Sequence, residues 1–204
     1  MAVPHHLEHL INPKFKSAFV DSYGFTEDEY ALLLSYFDLK YVKKKEFYAR
    51  AGIVCKHKTY LNKGCMRNFT IDEQGHERVL FFHFEDWWVG DFDSFYSGKP
   101  SVCNFQALED CEILEITQKD FNYLKTRIPK LNIWLADKHT KKAIANSQKM
   151  VEIKTLSLEE RYERLLCQEP EVVNRIPLQY IASYLNVEPQ SLSRVRKNIQ
   201  CKKK

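Results

Sequence analysis

Gln190, Ser191, Ser193, Arg194 and Lys197 fall within eight consecutive positions near the C-terminus. Together they offer an amide, two hydroxyls, a guanidinium and an ammonium. Such groups on the outside of one helix can hydrogen-bond base edges and neutralise phosphates. Arg194 carries the most specific chemistry, since its fork can hold a guanine through two bonds, worth about 1–3 kcal/mol of discrimination. Gln190 would share that reading edge, and Ser191, Ser193 and Lys197 would serve phosphates or flanking edges.

The chain around these residues, LQYIASYLNVEPQSLSRVRK from Leu178 to Lys197, supplies elements that could position them. Ile181, Ala182 and Leu185 share one face of a short helix. Asn186 stands where a turn needs a residue that tolerates left-handed backbone. Val187 plugs the corner, Glu188-Pro189 opens a second helix with proline in its first turn, and Leu192 and Val195 pack it inward. The pattern is a helix-turn-helix. An ordinary helical hairpin has the same packing and binds no nucleic acid, so the pattern alone leaves both readings open.

Charge favours a polyanion at this end. The net charge is +4, but from Lys141 onward 13 Lys/Arg face 7 Asp/Glu, and the remainder of the chain is slightly acidic. Past Glu188 there are six basic residues and no acid, which is the footprint of a nucleic-acid surface. Taken alone, Lys202, Lys203 and Lys204 read as a solvated tail.

Other chemistry is poorly supported. No phosphate-cradling glycine loop, GxSxG or HExxH appears, so no catalytic residues are expected and the chain does not read as an enzyme. Glu85, Asp86, Asp91 and Asp93 are close in sequence and read as turn residues and hydrogen-bond acceptors. His5, His6 and His9 could share a helical face and hold a metal, but a frayed terminus is the better reading and no metal site is expected. His76 and His83 are candidate haem ligands, but His76 abuts a hairpin turn and is read instead as solvent-facing. Trp87 and Trp88 read as core and pocket wall. The six cysteines form no CxxC pair, which suits reduced thiols in a cytoplasmic protein. Neither a secretory signal nor an apolar run of about 18 residues is apparent, so no membrane partner is expected.

The sequence divides by texture. All six glycines lie in the first 98 of 204 residues. Short β-rich segments cover Lys45–Ala51, Val54–Lys58, Met66–Ile71, Arg78–Phe84, Val102–Leu108 and Cys111–Ile116, with a hairpin turn at Asp72–Gly75. This spacing predicts a closed or rolled antiparallel sheet. A helix over Glu27–Phe37 opens on a Thr26/Glu29 capping box, and a short helix on Thr117. Further helices are expected over Pro129–Thr155, over Leu158–Gln168 behind a Ser157/Glu160 box, and over Pro189–Ile199. The fold class is α+β.

This plan resembles the Crp/Fnr superfamily of bacterial transcription regulators, over about Phe25 to Ile199. The likeness is carried by Gly64–Ile71 with the Gly75 turn, by Val89-Gly90-Asp91-Phe92, by Ala107–Leu114 and by Arg161–Ile199. The ending RIPLQYIASYLNVEPQSLSRVRK looks most like the short-tailed Bacteroidetes members. The resemblance implies three parts: a cyclic-nucleotide-binding-like sensor over 1–128, a long dimerisation helix over 129–156, and a helix-turn-helix DNA-binding domain over 157–204. It also implies a homodimer on a pseudo-palindromic operator in double-stranded DNA, and RNA polymerase as a protein partner.

In cyclic-AMP-binding members of this superfamily, a Gly-Glu-Leu triplet holds the ribose and an Arg-Ser/Thr-Ala triplet holds the phosphate. Here the matching positions are Gly90-Asp91-Phe92 and Ser101-Val102-Cys103, so the arginine is absent. The two-pronged phosphate contact goes with it, at a cost of about 2–5 kcal/mol. Asn146 and Ser147 occupy the place from which the dimer helix touches the base. A small-molecule effector remains compatible with this degenerate pocket, cyclic AMP held in the usual way does not, and no cofactor is implied. Pro189 stands where the family often has Arg, and the five residues after Ile199 are too few for a wing hairpin. Two rivals remain: a small-molecule-binding or protein-interaction module that does not bind DNA, and a constitutive DNA binder whose β-roll is only a scaffold.

Overall fold

The computed structural model describes residues 8–202. Helix α1 (Pro13–Tyr23) opens on Asn12, whose side chain accepts the Lys14 N–H, and closes on left-handed Gly24. Helix α2 (Glu27–Leu34) opens on the Thr26/Glu29 capping box read from the sequence, with both reciprocal bonds made.

Eight strands follow: β1 (Asp38–Val42), β2 (Phe47–Ala49), β3 (His57–Lys63), β4 (Met66–Ile71), β5 (Glu77–His83), β6 (Trp88–Val89), β7 (Asn104–Ala107) and β8 (Cys111–Thr117). They form two four-stranded sheets, ordered β1-β8-β3-β6 and β2-β7-β4-β5. Pairings β1–β8, β8–β3, β3–β6 and β2–β7 are antiparallel. This is the jelly-roll-like sheet that the glycine-punctuated segments led us to expect. Gly64, between β3 and β4, has φ 98°, and a Cβ there would lie 2.7 Å from the Asp110 carbonyl oxygen. Only glycine fits that turn.

Helix α3 (Phe92–Ser97) sits between β6 and β7. After β8 come α4 (Gln118–Arg127), the long α5 (Lys130–Thr155), α6 (Leu158–Gln168), α7 (Pro170–Arg175), α8 (Leu178–Tyr184) and α9 (Pro189–Lys202). Thr117 and Ser157 cap α4 and α6 as expected. Among the described residues no helix is long and apolar enough to cross a membrane.

Several boundaries differ from the sequence reading. The helix expected to reach Phe37 stops at Leu34, and Asp38–Val42 instead pairs with β8, Asp38 opposite Glu115 and Val42 opposite Cys111. The strand placed at Val54–Lys58 runs over His57–Lys63, because β8 supplies partners that far, whereas Val54 makes only an isolated bridge to Pro100. Helices α1 and α7 both open on proline, which reads as a break in sequence but suits a first helical position.

Contacts group the chain into two compact units: residues through Asn68 with His83–Thr140, and Phe69–Phe82 with the chain from Lys141 onward. The core of the first unit is strongly aromatic. Phe15, Phe19, Phe37, Tyr60, Phe121 and Trp134 are buried together, with Trp88 packed against them. Ring centroids there approach to 4.7 Å for Phe15–Tyr60 and 4.9 Å for Trp88–Trp134, in edge-to-face geometry. In the second unit the buried apolar residues include Tyr162, Leu165, Val172, Ile181, Leu192 and Ile199.

Candidate functional site

Two regions gather the residues singled out above. In the first unit, the cassette Gly90–Cys103 is a self-satisfied polar network. Asp91 caps α3, one carboxylate oxygen accepting the Ser94 N–H at 3.2 Å. The other accepts from the Ser101 hydroxyl at 2.8 Å. Ser101 also receives the Cys103 N–H at 3.1 Å, and its backbone is pinned to Gly52 and Ile53 by bonds of 2.8 and 3.0 Å. Ser94 Oγ in turn accepts the Cys55 N–H and donates to the Lys99 carbonyl. Gly98, at φ 73°, ends α3.

The structure therefore brings Asp91 and Ser101 into direct contact. Ser101 is only 4% exposed, while the next residue, Val102, is 72% exposed. Gly90, with φ 135°, lies where an added Cβ would be 3.6 Å from the Cys55 sulfur. Burial pushes the Cys55 thiol above its ordinary range. Asn146 and Ser147 are exposed on α5 in the second unit.

Phe92, the last residue of the first triplet, leads to a residue the sequence reading passed over. Lys58 was taken only as a strand end, yet it is 3% exposed. Its ammonium lies 4.6 Å from the Phe92 ring centroid and between 5.2 and 5.9 Å from those of Trp88, Tyr96, Phe121 and Trp134. Five rings around one cation form a cation–π cage that draws α3 toward α4 and α5. The available signal was parity: Lys58 lies two residues from Tyr60, a core residue on the same strand face.

The histidines resolve differently. His83 is buried between the rings of Trp87 and Phe105. His76 is exposed. His9 is exposed too, while His5 and His6 lie outside the described residues. Among the described residues no group of three or more His, Cys, Asp or Glu is placed to hold a metal ion. Cys55, Cys65, Cys103, Cys111 and Cys167 form no disulfide. Trp88 packs against the aromatic core, whereas Trp87 is 44% exposed.

In the second unit, α8 and α9 are joined by a four-residue turn. Asn186 takes φ 55°, the left-handed conformation its position demanded. The Asn186 and Val187 N–H groups donate to the Ser183 and Ala182 carbonyls, both at 3.0 Å. Ile181, Ala182, Leu185 and Leu192 are buried, and Val195 is half-buried. Arg161 of α6 donates to the Leu185 carbonyl at 2.7 Å, fixing the end of α8. Gln190, Ser191, Ser193, Arg194 and Lys197 are all exposed on α9. Gln190, Arg194 and Lys197, spaced four and three residues apart, lie along one side of it.

Residues 39–127 match the cyclic nucleotide-binding domain. No match is found among curated protein sequences. Among solved structures, the chain is similar to the c-di-GMP-responsive global regulator CLP of Xanthomonas campestris: 17% identity, TM-score 0.71, covering 87% of this chain and 93% of that one. It is also similar to FixK2 of Bradyrhizobium japonicum, at 12% identity and TM-score 0.72, covering 81% and 85%. A third likeness is to the catabolite activator protein of Thermus thermophilus, at 21% identity and TM-score 0.56, covering 88% and 85%. Residues 39–127 are thus similar to a cyclic nucleotide-binding domain, and the fold of the chain is like that of these regulators.

Proposed function

We propose that the chain is a DNA-binding transcription regulator of the Crp/Fnr type, not an enzyme. It acts as a homodimer on a pseudo-palindromic operator, with RNA polymerase as a further partner. The reading is carried by the α8–turn–α9 pair, a helix-turn-helix whose second helix leaves Gln190, Ser191, Ser193, Arg194 and Lys197 exposed on a basic segment. Pairing is supported by α5, on which Ile133, Ile144, Met150, Val151 and Ile153 are exposed apolar residues on one continuous helix. The experiment is selection of genomic DNA fragments by the purified chain, repeated with Arg194→Ala. An Arg194→Ala variant with the same preferred site and the same salt dependence would sink the assignment of Arg194 to a base.

A second reading is favoured by the Asp91–Ser101 bond: a constitutive DNA binder whose β-roll holds no cyclic nucleotide. The cassette's acceptor and its would-be phosphate position already satisfy one another. A thermal-shift panel of cyclic mononucleotides, cyclic dinucleotides and small metabolites separates the two readings, since a ligand that binds the folded state alone raises the midpoint with concentration.

A further inference from the structure

Strand β5 is the edge of its sheet, so backbone groups along its outer side have no neighbouring strand. Two of its groups are met by one side chain of α8. Ser183 Oγ accepts the Val79 N–H at 3.0 Å and donates to the Glu77 carbonyl at 2.8 Å. A single hydroxyl thus uses its proton and a lone pair on groups two residues apart along the strand. The adjacent Tyr184 ring packs on Phe82 at 5.3 Å between centroids. From α5, Lys149 donates to the Leu80 carbonyl at 2.7 Å, with its ammonium 3.7 Å from the Tyr184 ring centroid and 4.4 Å from that of Phe81.

We infer that Ser183, supported by Lys149, is a latch that fastens α8 to the β5 edge, so that the strand and the α8–α9 pair open and close together. Two features give the latch leverage. Hydrogen bonds weaken steeply with distance and angle, so a small shift of β5 breaks both Ser183 bonds at once. The Ser183 carbonyl also accepts the Asn186 N–H of the turn, so whatever moves Ser183 moves the start of α9. A movement of the strand is thereby passed on as a two-state change in the helix pair. The regulatory consequence rests on the DNA-binding reading proposed above, whereas the latch itself does not.

Hydrogen exchange on the full-length chain tests it. In Ser183→Ala, the Val79 amide and the α8 amides should exchange faster by a common factor of about tenfold, while Ser183→Thr, which keeps the hydroxyl, stays near wild type. Lys149→Met keeps the apolar stem and should loosen the same two segments, which provides a test should Ser183→Ala fail to fold. An unchanged Val79 rate in Ser183→Ala, or a faster Val79 with α8 untouched, would overturn the latch. On a selected operator fragment, Ser183→Ala should also change affinity by threefold or more at fixed salt. Loosened exchange with identical affinity would overturn the regulatory role. Failure of the DNA reading is seen separately, as a wild-type chain that shifts no duplex while its exchange remains coupled.

Discussion

Ser101 and Asp91 illustrate how a polar site can satisfy its own groups. Asp91 caps α3 with one oxygen and takes the Ser101 hydroxyl on the other. In Ser101→Ala that carboxylate oxygen and the Cys103 N–H would both lose a partner inside a buried network. Urea denaturation should show a loss of about 1–3 kcal/mol, with the slope of the transition unchanged. Lys149 gives a residue-scale prediction of a different kind. Burial lowers its ammonium from the usual 10.5 to about 8, with Glu169 and Glu152 pulling the other way. Between those values the unfolded chain holds a proton that the folded chain has released, so stability rises with pH there. Cys111, raised by burial from 9.0 to about 11, acts in the opposite sense above about pH 9, since the folded chain keeps a proton the unfolded one gives up. Comparison with Lys149→Met isolates the first effect. The stability difference should shift in favour of wild type between pH 8 and 9, by at most about 1.4 kcal/mol, and stay flat from pH 6 to 7. A difference independent of pH from 8 to 9 would refute the assignment.

At the scale of elements, the α8–α9 turn depends on Asn186. At φ 55° an alanine pays a conformational penalty that glycine avoids and asparagine reduces. Asn186→Ala should cost about 1 kcal/mol in thermal or chemical unfolding, and Asn186→Gly should be close to neutral. Equal losses for the two would mean that the Asn side chain, not the backbone, holds the turn. This turn was legible in the sequence because its signal is local: a left-handed-tolerant residue, a corner valine and a proline within four positions. The same holds for the Thr26 and Ser157 capping boxes and for strand Met66–Ile71, whose bounds match the sequence reading. Strand β1 was hidden because its partner β8 lies 69 to 77 residues away and DLKYV alternates only weakly. The Lys58 cage was hidden for a related reason. Its five rings come from β6, α3, α4 and α5, and no spacing within the sequence announces that they converge. The cassette was half legible, in that Asp91 and Ser101 could be singled out from the sequence but the bond between them could not.

For the whole molecule, the proposed function turns on α5 pairing with its copy. Ile144 and Val151 are seven residues apart, with Ser147 between them and Ile133 eleven residues before Ile144, which places all four near one side of a helix. Ile133, Ile144 and Val151 are each more than half exposed, and covering an isoleucine or valine is worth about 1.5–3 kcal/mol. The double variant Ile144→Glu/Val151→Glu would place four carboxylates in the paired seam, where charges are costly to bury. Sedimentation velocity should then show a monomer at concentrations where the wild type is a dimer. Its affinity for a two-half-site operator should fall by at least tenfold, because the second recognition helix no longer binds at high effective concentration, while affinity for a single half-site stays within about twofold. A matching prediction concerns the DNA. Two recognition helices held by one seam require half-sites about one helical turn apart, roughly 34–36 Å. Inserting five base pairs between them turns the second site to the opposite side of the duplex and should reduce wild-type affinity to that of a half-site. A double variant that remains dimeric would remove α5 as the seam, and an operator that tolerates the insertion would remove the fixed spacing of the two recognition helices.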